Sequence, residues 1–441
     1  MKNRFSVALG FLALAIVGSL VLASPWAQAA GRWGNFGSAL FTSFSAVCVT
    51  GLSVVDVASE YSRAGQVALL VLVEIGCLGL MTCSTFLLIA VGRRLSLSRE
   101  FSLMNAYGVA EVQGLKGLIC WVVGSMAVIE AAGAVAIYAR LGDWYLAFFY
   151  SVMSFCNAGF SILPGSISAF ADDPALVLAC ATLTILGGIG FLVIYNLCTF
   201  KFLRRKSGGK GRLTLHTRVV LRYTLYLLAF AFVAFALVEW NASLAGMPLA
   251  KKLYVALYQS VTPRTCGFCI VPTESLQPLT RLIYEFLMFI GGAPGSAAAG
   301  MKITTFAVIC YTMTALCRGE QETIISRCLI PPDIVRESLV ILMALIVFAG
   351  AVTGALFWTE AEHVASGAVS LDALFFEAVS AVTTTGLSVG STTAGLTTGG
   401  RAVILCAMFI GRLGALAVVL MIGDRETKRH VRFPVEEIVV G

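Results

Sequence analysis

Charged residues are scarce in this chain: Asp, Glu, Lys and Arg make up only 12% of its 441 residues. A soluble domain of this length carries roughly twice that share of charged residues. Hydrophobic residues make up 58% of the chain, and they form runs of about 20 residues, long enough to cross a bilayer as a helix. The composition therefore excludes a soluble globular protein and predicts a polytopic, all-α membrane protein.

Histidine is scarce as well. The three histidines, His216, His363 and His430, lie far apart in the sequence and leave no histidine-based metal cluster. The 13 cysteines lie mostly singly inside apolar runs, where cysteine behaves as a small hydrophobe. The net charge of +7 comes without basic fingers or interleaved aromatic and basic residues, so no nucleic-acid partner is predicted. Paired catalytic groups do not recur, so we predict that the chain is not an enzyme and keep an intramembrane enzyme as an alternative.

The N-terminal segment, residues 1–30, resembles a cleavable signal peptide. It has a basic start, an apolar centre and Ala-Gln-Ala near its end, as signal peptides do. Its apolar stretch, residues 5–26, is long for a signal core, and it supplies the first helix of the pattern described next. We therefore interpret it as a membrane span.

Long hydrophobic segments and short apolar stretches alternate along the chain. We expect spans near residues 5–28, 65–91, 115–140, 175–203, 219–240, 280–313, 334–358 and 400–423. One short stretch lies between the members of each successive pair, at about 36–50, 145–158, 252–266 and 372–385. About a dozen residues are too few to span a bilayer, so each short stretch is predicted to be a re-entrant half-helix.

Lys and Arg indicate the orientation of these segments. With the N terminus inside, most Lys and Arg residues fall in segments assigned to the cytoplasm, as the positive-inside rule requires. This predicts that both termini are cytoplasmic and that the short loops dip in from outside. Three cations, Arg264, Lys302 and Arg412, remain at membrane depth, where charge is costly and usually paired.

The four short stretches align without gaps around one glycine each. The aligned loops read Val49-Thr50-Gly51-Leu52-Ser53, Asn157-Ala158-Gly159-Phe160-Ser161, Thr265-Cys266-Gly267-Phe268-Cys269 and Thr384-Thr385-Gly386-Leu387-Ser388. Their recurrence about every 110 residues indicates an internal repeat. We predict four helix–pore loop–helix repeats around one pseudo-four-fold pore, at 1–99, 100–212, 213–325 and 326–424, followed by a cytoplasmic tail at 425–441.

Four such loops around one axis would aim backbone carbonyl oxygens at that axis. Carbonyl oxygens can replace the hydration shell of a cation, glycine permits the backbone angles that this needs, and the C-terminal end of each half-helix favours a cation. The predicted filter comprises Val49, Thr50, Gly51, Asn157, Ala158, Gly159, Thr265, Cys266, Gly267, Thr384, Thr385 and Gly386. Cys266 and Cys269 form a Cys-x-x-Cys, which read alone suggests a redox pair.

With one glycine per loop, the four units resemble the Trk/Ktr/HKT superfamily of potassium transporters. The resemblance covers essentially the whole chain and extends to Val54-Val55-Asp56, to Arg264, and to Met408-Phe409-Ile410-Gly411-Arg412-Leu413-Gly414. The chain starts directly with the first repeat and is most like a bacterial Ktr-type membrane subunit. Gly51 stands where sodium-preferring plant relatives carry Ser, and Cys266 departs from the Ala that is common in the family.

The resemblance implies the pore-forming subunit of a potassium uptake system in the bacterial inner membrane. It also implies a homodimer surrounded by lipid, and a cytoplasmic ring of nucleotide-binding regulatory subunits, so that nucleotide acts only through a partner. K⁺ would be the transported ion, with Na⁺ as a possible coupling or activating ion. A sodium-coupled or sodium-conducting transporter of the same architecture is the alternative.

The sixth span carries a glycine-rich break at residues 291–302. Three glycines and a proline within five residues cannot continue a straight helix, and the resemblance implies a gating loop between filter and cytoplasm. The predicted gate comprises Gly291, Gly292, Ala293, Pro294, Gly295, Ser296, Gly300, Lys302 and Arg412. A simple packing kink is the alternative. Arg412 is predicted to pair with the broken loop or with a carboxylate such as Glu285, and to oppose cation flow in the closed state.

Four carboxylates fall at membrane depth, Glu74, Glu130, Glu285 and Glu377, and their roles stay open at this stage. Glu377 is expected at the start of the fourth half-helix, where a negative charge suits the helix N terminus. Asp56, just after the first loop, is expected to draw cations to the outer mouth.

Overall fold

The computed structural model of the protein describes residues 2–79, 115–163, 165–206, 213–390 and 392–414. Within these ranges the chain is mostly helical, with 3-10 turns and a two-stranded hairpin. The predicted tail at 425–441, the predicted boundary between the first two repeats, and the ends of the predicted spans 65–91 and 400–423 lie outside the described residues.

The described helices follow one order along the chain: a long helix, a short helix, an extended segment and a further helix. The first part contains α1 (Lys2–Ala23), α2 (Phe36–Val47), α3 (Val57–Glu60) and α4 (Arg63–Leu78). The second contains α5 (Leu115–Leu141), α6 (Trp144–Cys156), α7 (Pro174–Ile189) and α8 (Phe191–Lys206). The third contains α9 (Leu215–Glu239), α10 (Leu249–Val261), α11 (Pro278–Phe289) and α12 (Ile303–Cys317).

The last part opens with an antiparallel hairpin, β1 (Ile324–Ile325) and β2 (Cys328–Leu329). Its turn residues, Ser326 and Arg327, have φ values of 50° and 68°, as a two-residue hairpin turn requires. The helices α13 (Pro332–Thr359), α14 (Ala361–Ala365), α15 (Leu371–Val382), α16 (Thr392–Gly395) and α17 (Thr398–Leu413) follow.

Three described helices are long and apolar enough to cross a membrane unbroken: most of α5, and all of α9 and α13. Helices α7 and α8 meet this test only together, and they are bent by 95° where they join. The segment predicted as a span at 175–203 is therefore interrupted by a sharp bend. Gly190 separates the two helices with a φ of 91°, and the N–H of Phe191 donates to Gly295 O at 3.0 Å. The bend thus packs on the broken sixth span.

Side-chain caps start three of the four short helices. Asn35, Asp143 and Ser370 accept hydrogen bonds from backbone N–H groups in the first turns of α2, α6 and α15, which satisfies donors that a helix start leaves free. Helix α10 follows Pro248 without a side-chain cap. The caps fix where each short helix begins and hence where its C-terminal end lies.

Each short helix is followed by a residue with left-handed backbone, two positions before the loop glycine. These residues are Val49, Asn157, Thr265 and Thr384, with φ values of 55°, 56°, 65° and 50°. Left-handed backbone is unfavourable for β-branched residues such as Val and Thr, and such strain persists only where the surroundings impose it. The four loops therefore share one imposed turn, which the aligned sequence did not predict.

Three glycines let the later helices approach the ends of the short helices. A Cβ on each of these glycines would collide with a backbone carbonyl oxygen four positions before a loop glycine: Gly76 meets Val47, Gly187 meets Phe155, and Gly411 meets Val382. Close backbone contact of this kind excludes every larger residue. These contacts fix α4, α7 and α17 against the loops.

Replacing Gly187 with Ala should lower stability by about 1–3 kcal/mol, because the methyl group overpacks a rigid backbone contact. The adjacent Gly188 is the matched control, since a Cβ there lies 3.7 Å from Asn157 Nδ2 in ordinary contact. Gly188→Ala should be neutral or slightly stabilising through helix propensity. Thermal denaturation of both purified variants in detergent measures the difference. Equal melting temperatures would contradict the proposed packing.

Candidate functional site

The four loop glycines lie against one another in a closed ring. A Cβ on Gly51 would lie 2.9 Å from Gly159 Cα, and one on Gly159 would lie 3.0 Å from Gly267 Cα. A Cβ on Gly267 would lie 3.5 Å from Gly386 Cα, and one on Gly386 would lie 3.3 Å from Gly51 Cα. The order around the ring follows the order along the chain. The structure thus brings all four predicted loops together.

The carbonyl oxygens that precede the glycines face this ring. The oxygens of Thr50, Ala158, Cys266 and Thr385 each approach the glycine of a neighbouring loop. Among the hydrogen bonds of the described residues, none is accepted by these four oxygens. Buried carbonyl groups normally have a partner. The ring therefore presents free acceptors at one point.

The N–H groups of the loops point the other way, into the short helices. Ser45 in the first unit and Ser380 in the fourth occupy aligned positions. In both units the serine carbonyl accepts from the residue before the glycine at 2.8 Å. The serine hydroxyl accepts from the glycine N–H, at 3.0 Å and 3.1 Å respectively. These bonds hold the loop backbone so that its carbonyl oxygens face the ring.

The side chains of two loop residues, Cys266 and Asn157, are buried against neighbouring helices. Cys266 Sγ lies 3.5 Å from Thr184 Oγ1 and 3.8 Å from the Tyr258 hydroxyl, so its side chain faces neighbouring helices and away from the ring. The NH2 group of the Asn157 side-chain amide donates to Thr184 O and to Ser154 O. Cys266 and Cys269 are both free thiols.

A cavity of about 480 Å³ opens beyond the glycines on the side where each chain segment continues. Its lining includes all four loop glycines together with Asp56 and Cys269. Asp56 also caps α3, accepting from Ala58 N at 3.3 Å and from Ser59 Oγ at 2.8 Å. Its carboxylate therefore has a structural role besides its place at the mouth of the ring.

The predicted gate residues from Gly291 to Gly300 all lie in the non-helical segment between α11 and α12, residues 290–302, which we call the broken loop. Its two ends are joined, because Gly291 N donates to Met301 O at 2.9 Å and Met301 N donates to Phe289 O at 3.1 Å. Its middle contacts α7 through Ala293 N, which donates to Gly188 O at 3.0 Å. The broken loop therefore leaves and re-enters the helix axis at neighbouring points, and its middle packs against the bend between α7 and α8.

Three basic side chains hold the broken loop. Arg412 in α17 donates to Ala297 O at 2.5 Å and to Gly76 O at 2.6 Å, which links α17, α4 and the loop. Of the two partners considered from the sequence, Arg412 therefore contacts the loop, not Glu285. Lys302 donates to Ala298 O at 2.6 Å, within the same loop. Arg264 donates to Gly291 O at 3.4 Å.

The membrane-depth carboxylates lie in three different surroundings. Glu74 and Glu130 lie together with the Cys156 thiol, their ligand atoms within 4.8 Å of one another. Glu285 is 4% exposed, and its Oε1 has no hydrogen-bond partner among the described residues. Glu377 lies in the middle of α15, so the expectation that it starts the helix is wrong. Asp372 is the acidic residue in the first turn.

Two further carboxylates, Glu239 and Glu360, were missed from the sequence. Glu239, at the end of α9, accepts from Gln277 N at 2.8 Å and from Thr280 Oγ1 at 2.6 Å. Glu360, after α13, accepts from Thr397 N at 3.0 Å and from its Oγ1. Each ties the end of one long helix to the start of a later helix. The signal available in the sequence is their shared position, because each is an acidic residue at the end of the first long span of its repeat.

This arrangement matches a known family. The profile of the TrkH family, described as a cation transport protein, matches residues 18–426. The chain therefore belongs to the TrkH family of membrane transport proteins, which are transporters and not enzymes. This confirms the family predicted from the loops.

Individual relatives match over almost their full lengths. The chain is 32% identical to the Ktr system potassium uptake protein B of Bacillus subtilis, over 99% of this chain and 96% of that protein. It is 31% identical to the potassium/sodium uptake protein NtpJ of Enterococcus hirae, with the same coverage. The solved structure of the potassium transporter TrkH from Vibrio parahaemolyticus is similar with a TM-score of 0.72 and 17% identity, covering 95% of this chain and 84% of that one. This last similarity concerns the fold.

Proposed function

We propose that this chain is the pore-forming subunit of a potassium uptake system, with K⁺ passing through the ring of loop glycines. The observation that carries this proposal is the closed ring itself, with four carbonyl oxygens that accept no hydrogen bond among the described residues. Carbonyl oxygens at such a site can replace the water shell of a dehydrated cation. The names of the relatives, potassium uptake proteins, supply the ion.

The filter comprises the three residues of each loop named from the sequence, from Val49–Gly51 to Thr384–Gly386. The carbonyl oxygens of Thr50, Ala158, Cys266 and Thr385 are the groups that would contact the ion, because each approaches the glycine of a neighbouring loop. The C-terminal ends of α2, α6, α10 and α15 meet at the loops, and the partial negative charge there favours a cation. No charged side chain is needed at the ring.

The architecture that goes with this function is four repeats around one pore, with the bounds given above. The two ends lie in the cytoplasm, the four loops enter from outside, and the membrane is the bacterial inner membrane. The positive-inside distribution of Lys and Arg supports this orientation. The described helices support the repeats, because each part of the chain runs from a long helix through a short helix to a loop glycine.

The gate is the broken loop, held closed by Arg412. Arg412 joins the loop to α4 through two backbone carbonyls, and its charge lies below a cation filter. Arg264 adds a contact at Gly291. Opening requires these contacts to break, which moves both the obstruction and the charge.

The names of the relatives support partner subunits for this chain. The name Ktr system indicates that protein B works with other subunits. We infer a homodimer in the membrane and a cytoplasmic ring of nucleotide-binding subunits, so nucleotide binds a partner and not this chain. Na⁺ coupling or Na⁺ conduction is the second candidate, favoured by the name potassium/sodium uptake protein of the Enterococcus hirae relative.

Uptake of K⁺ and Na⁺ in a strain that lacks its own potassium uptake tests the proposal. Wild type should take up K⁺ in preference to Na⁺. Gly51→Ser should lower this preference by about tenfold, because Gly51 has a φ of +93° and a Cβ there meets Ala158 O, and such strain costs about 1–3 kcal/mol.

Gly246→Ser is the matched control. Gly246 has a similar φ of +74°, but nothing lies within 4 Å of its added Cβ. This variant should keep the wild-type preference. Equal use of both ions by wild type would contradict the potassium assignment, and equal preference in all three proteins would contradict the assignment of Gly51 to the filter.

A further inference from the structure

Glu377 is fully buried directly behind the fourth loop. Its exposed fraction is 0%. Its Oε1 accepts a hydrogen bond from Ser388 Oγ, and its Oε2 accepts from Thr393 Oγ1 at 2.7 Å. Ser388 lies two residues after Gly386, and Thr393 lies in α16. One carboxyl group therefore ties the short helix α15 to the exit of the loop and to the helix that follows it.

The other three units show that this tie is specific to the fourth. The positions aligned with Glu377, nine residues before the loop glycine, hold Thr42, Tyr150 and Tyr258. Thr42 Oγ1 has no hydrogen-bond partner among the described residues, and the Tyr258 hydroxyl contacts Cys266 Sγ at 3.8 Å. Tyr150 alone makes an equivalent bond, to Ser161 Oγ at 2.6 Å. Only the fourth unit uses a carboxyl group.

The carboxyl group changes what the loop serine does. In the first two units the serine two residues after the glycine donates to a carbonyl of its own turn. Ser53 donates to Val55 O at 2.5 Å, and Ser161 donates to Leu163 O at 3.0 Å. A hydroxyl has one hydrogen to donate. Ser388 directs it to Glu377, while Gly390 O lies 3.5 Å away. The exit of the fourth loop is thus held from the helix side.

Glu377 also lacks a compensating cation: no ion pair among the described residues includes it. Its two hydroxyl partners are the groups that satisfy its oxygens. A carboxyl group has two oxygens and can therefore hold two hydroxyl groups at once. The exit of the fourth loop is thus tied through Ser388 and Thr393 together, whereas Tyr150 in the second unit holds Ser161 alone.

We propose that Glu377 is a positioning residue that sets ion selectivity through the fourth loop. Glu377 holds Ser388 in place. Leu387, which is buried with 1% exposure, connects Ser388 to Gly386, so the position of Ser388 sets the backbone conformation of the fourth loop. This inference rests on the proposed filter and names one residue that controls its dimensions. Glu377 does not touch the ion.

The test uses the full-length protein reconstituted in liposomes and measures the ratio of K⁺ to Na⁺ permeability. Glu377→Gln keeps the size of the side chain but replaces one acceptor oxygen with an NH2 group, so it cannot accept from both Ser388 and Thr393, and it should lower the ratio roughly tenfold. Ser388→Ala should lower the ratio similarly. Because both changes break the same bond, the double variant should be no worse than either single variant.

Tyr150→Phe is the matched control at the aligned position. It removes one neutral bond, and Ser161 keeps its bond to Leu163 O, so the ratio should stay within about twofold of wild type. An equally large loss in Tyr150→Phe would overturn the special role of the carboxyl group. A merely structural role for Glu377 would lower the amount of folded protein and leave the ratio unchanged.

The outcomes separate this inference from the function on which it rests. A wild-type protein without preference for K⁺ would overturn the proposed function itself. A selective wild type with an unchanged ratio in Glu377→Gln, or with additive effects in the double variant, would overturn the inference alone. If Glu377→Gln does not reach the membrane, Ser388→Ala and Thr393→Val test the inference instead. Wild-type permeability ratios in both of these variants would overturn the inference.

Discussion

Potassium uptake should fall by about a hundredfold or more when Gly386 is replaced by Val. Gly386 has a φ of +85°, and a Cβ there would collide with Thr50 O across the ring. Left-handed backbone alone costs a β-branched residue about 1–3 kcal/mol, and the collision must in addition push two loops apart. Because Thr50 O is one of the four carbonyl oxygens of the ring, the change destroys the site and does not only strain it.

Gly142→Val is the control for this first prediction. Gly142 has a comparable φ of +68°, but its added Cβ meets nothing within 4 Å. Uptake per molecule of folded protein should then stay near wild type. Radioactive rubidium or potassium uptake, normalised to the amount of protein in the membrane, gives the comparison. Near-normal uptake by Gly386→Val would show that ions do not pass through the ring.

Replacing Arg412 with Gln should raise the potassium flux about tenfold or more. Arg412 makes two hydrogen bonds from a charged group to backbone carbonyls, at Ala297 and Gly76, and bonds of this kind contribute about 1.5–3 kcal/mol each. Losing even one of these bonds shifts the equilibrium between the closed and open states of the gate by about a factor of ten. Flux measured in liposomes reports this shift directly.

Two further variants distinguish hydrogen bonding by Arg412 from simple charge repulsion. Arg412→Lys keeps the charge but cannot donate to both carbonyl groups at once. If the two hydrogen bonds hold the gate closed, this variant should have raised flux, whereas a purely electrostatic barrier would leave wild-type flux. Lys302→Gln is the control, because Lys302 bonds only Ala298 O within the loop itself. It should change the flux less than Arg412→Gln. Unchanged flux in folded Arg412→Gln would contradict the gating role.

The positions of the loops and short helices could be predicted from the sequence. The predicted stretch at 372–385 corresponds to α15 at Leu371–Val382 and the loop after it, and the stretch at 145–158 corresponds to α6 at Trp144–Cys156. This succeeded because length, apolar composition and the aligned glycines are local signals. The family followed from the same glycines, and the match of the TrkH profile confirms it.

Local backbone strain could not be predicted in the same way. Val49 and Thr384 are poor choices for left-handed backbone when taken alone, yet both adopt it, with φ values of 55° and 50°. Their conformation is imposed by the neighbouring loops, and a pattern read along one chain segment carries no such information.

The bend between α7 and α8 was missed for a different reason. The broken sixth span was recognised by its proline, whereas the fourth span has only Gly187, Gly188 and Gly190 near its break. Hydrophobicity continues across the bend, so a hydropathy pattern gives one straight span. Three glycines within four residues were the available signal. The third unit is therefore not alone in having an interrupted helix, and the two interruptions pack together through Phe191 N and Gly295 O.

The side-chain surroundings of the charged residues also needed the structure. Glu377 was expected at a helix start and lies in the middle of α15, because the sequence marks the helix start only to within a few residues. Leu257 aligns with the buried Phe41, Phe149 and Phe376, yet it is 37% exposed. The repeats are thus alike in backbone and differ in what surrounds them.

The most direct test of the filter is to locate the permeant ion. Thallium, which can stand in for potassium and scatters strongly, can be soaked into crystals of the full-length protein and detected by its anomalous signal. We expect a peak inside the ring, bounded by the carbonyl oxygens of Thr50, Ala158, Cys266 and Thr385. A protein that transports thallium but shows no peak there, or shows its peak away from the four glycines, would contradict the passage of ions through this ring.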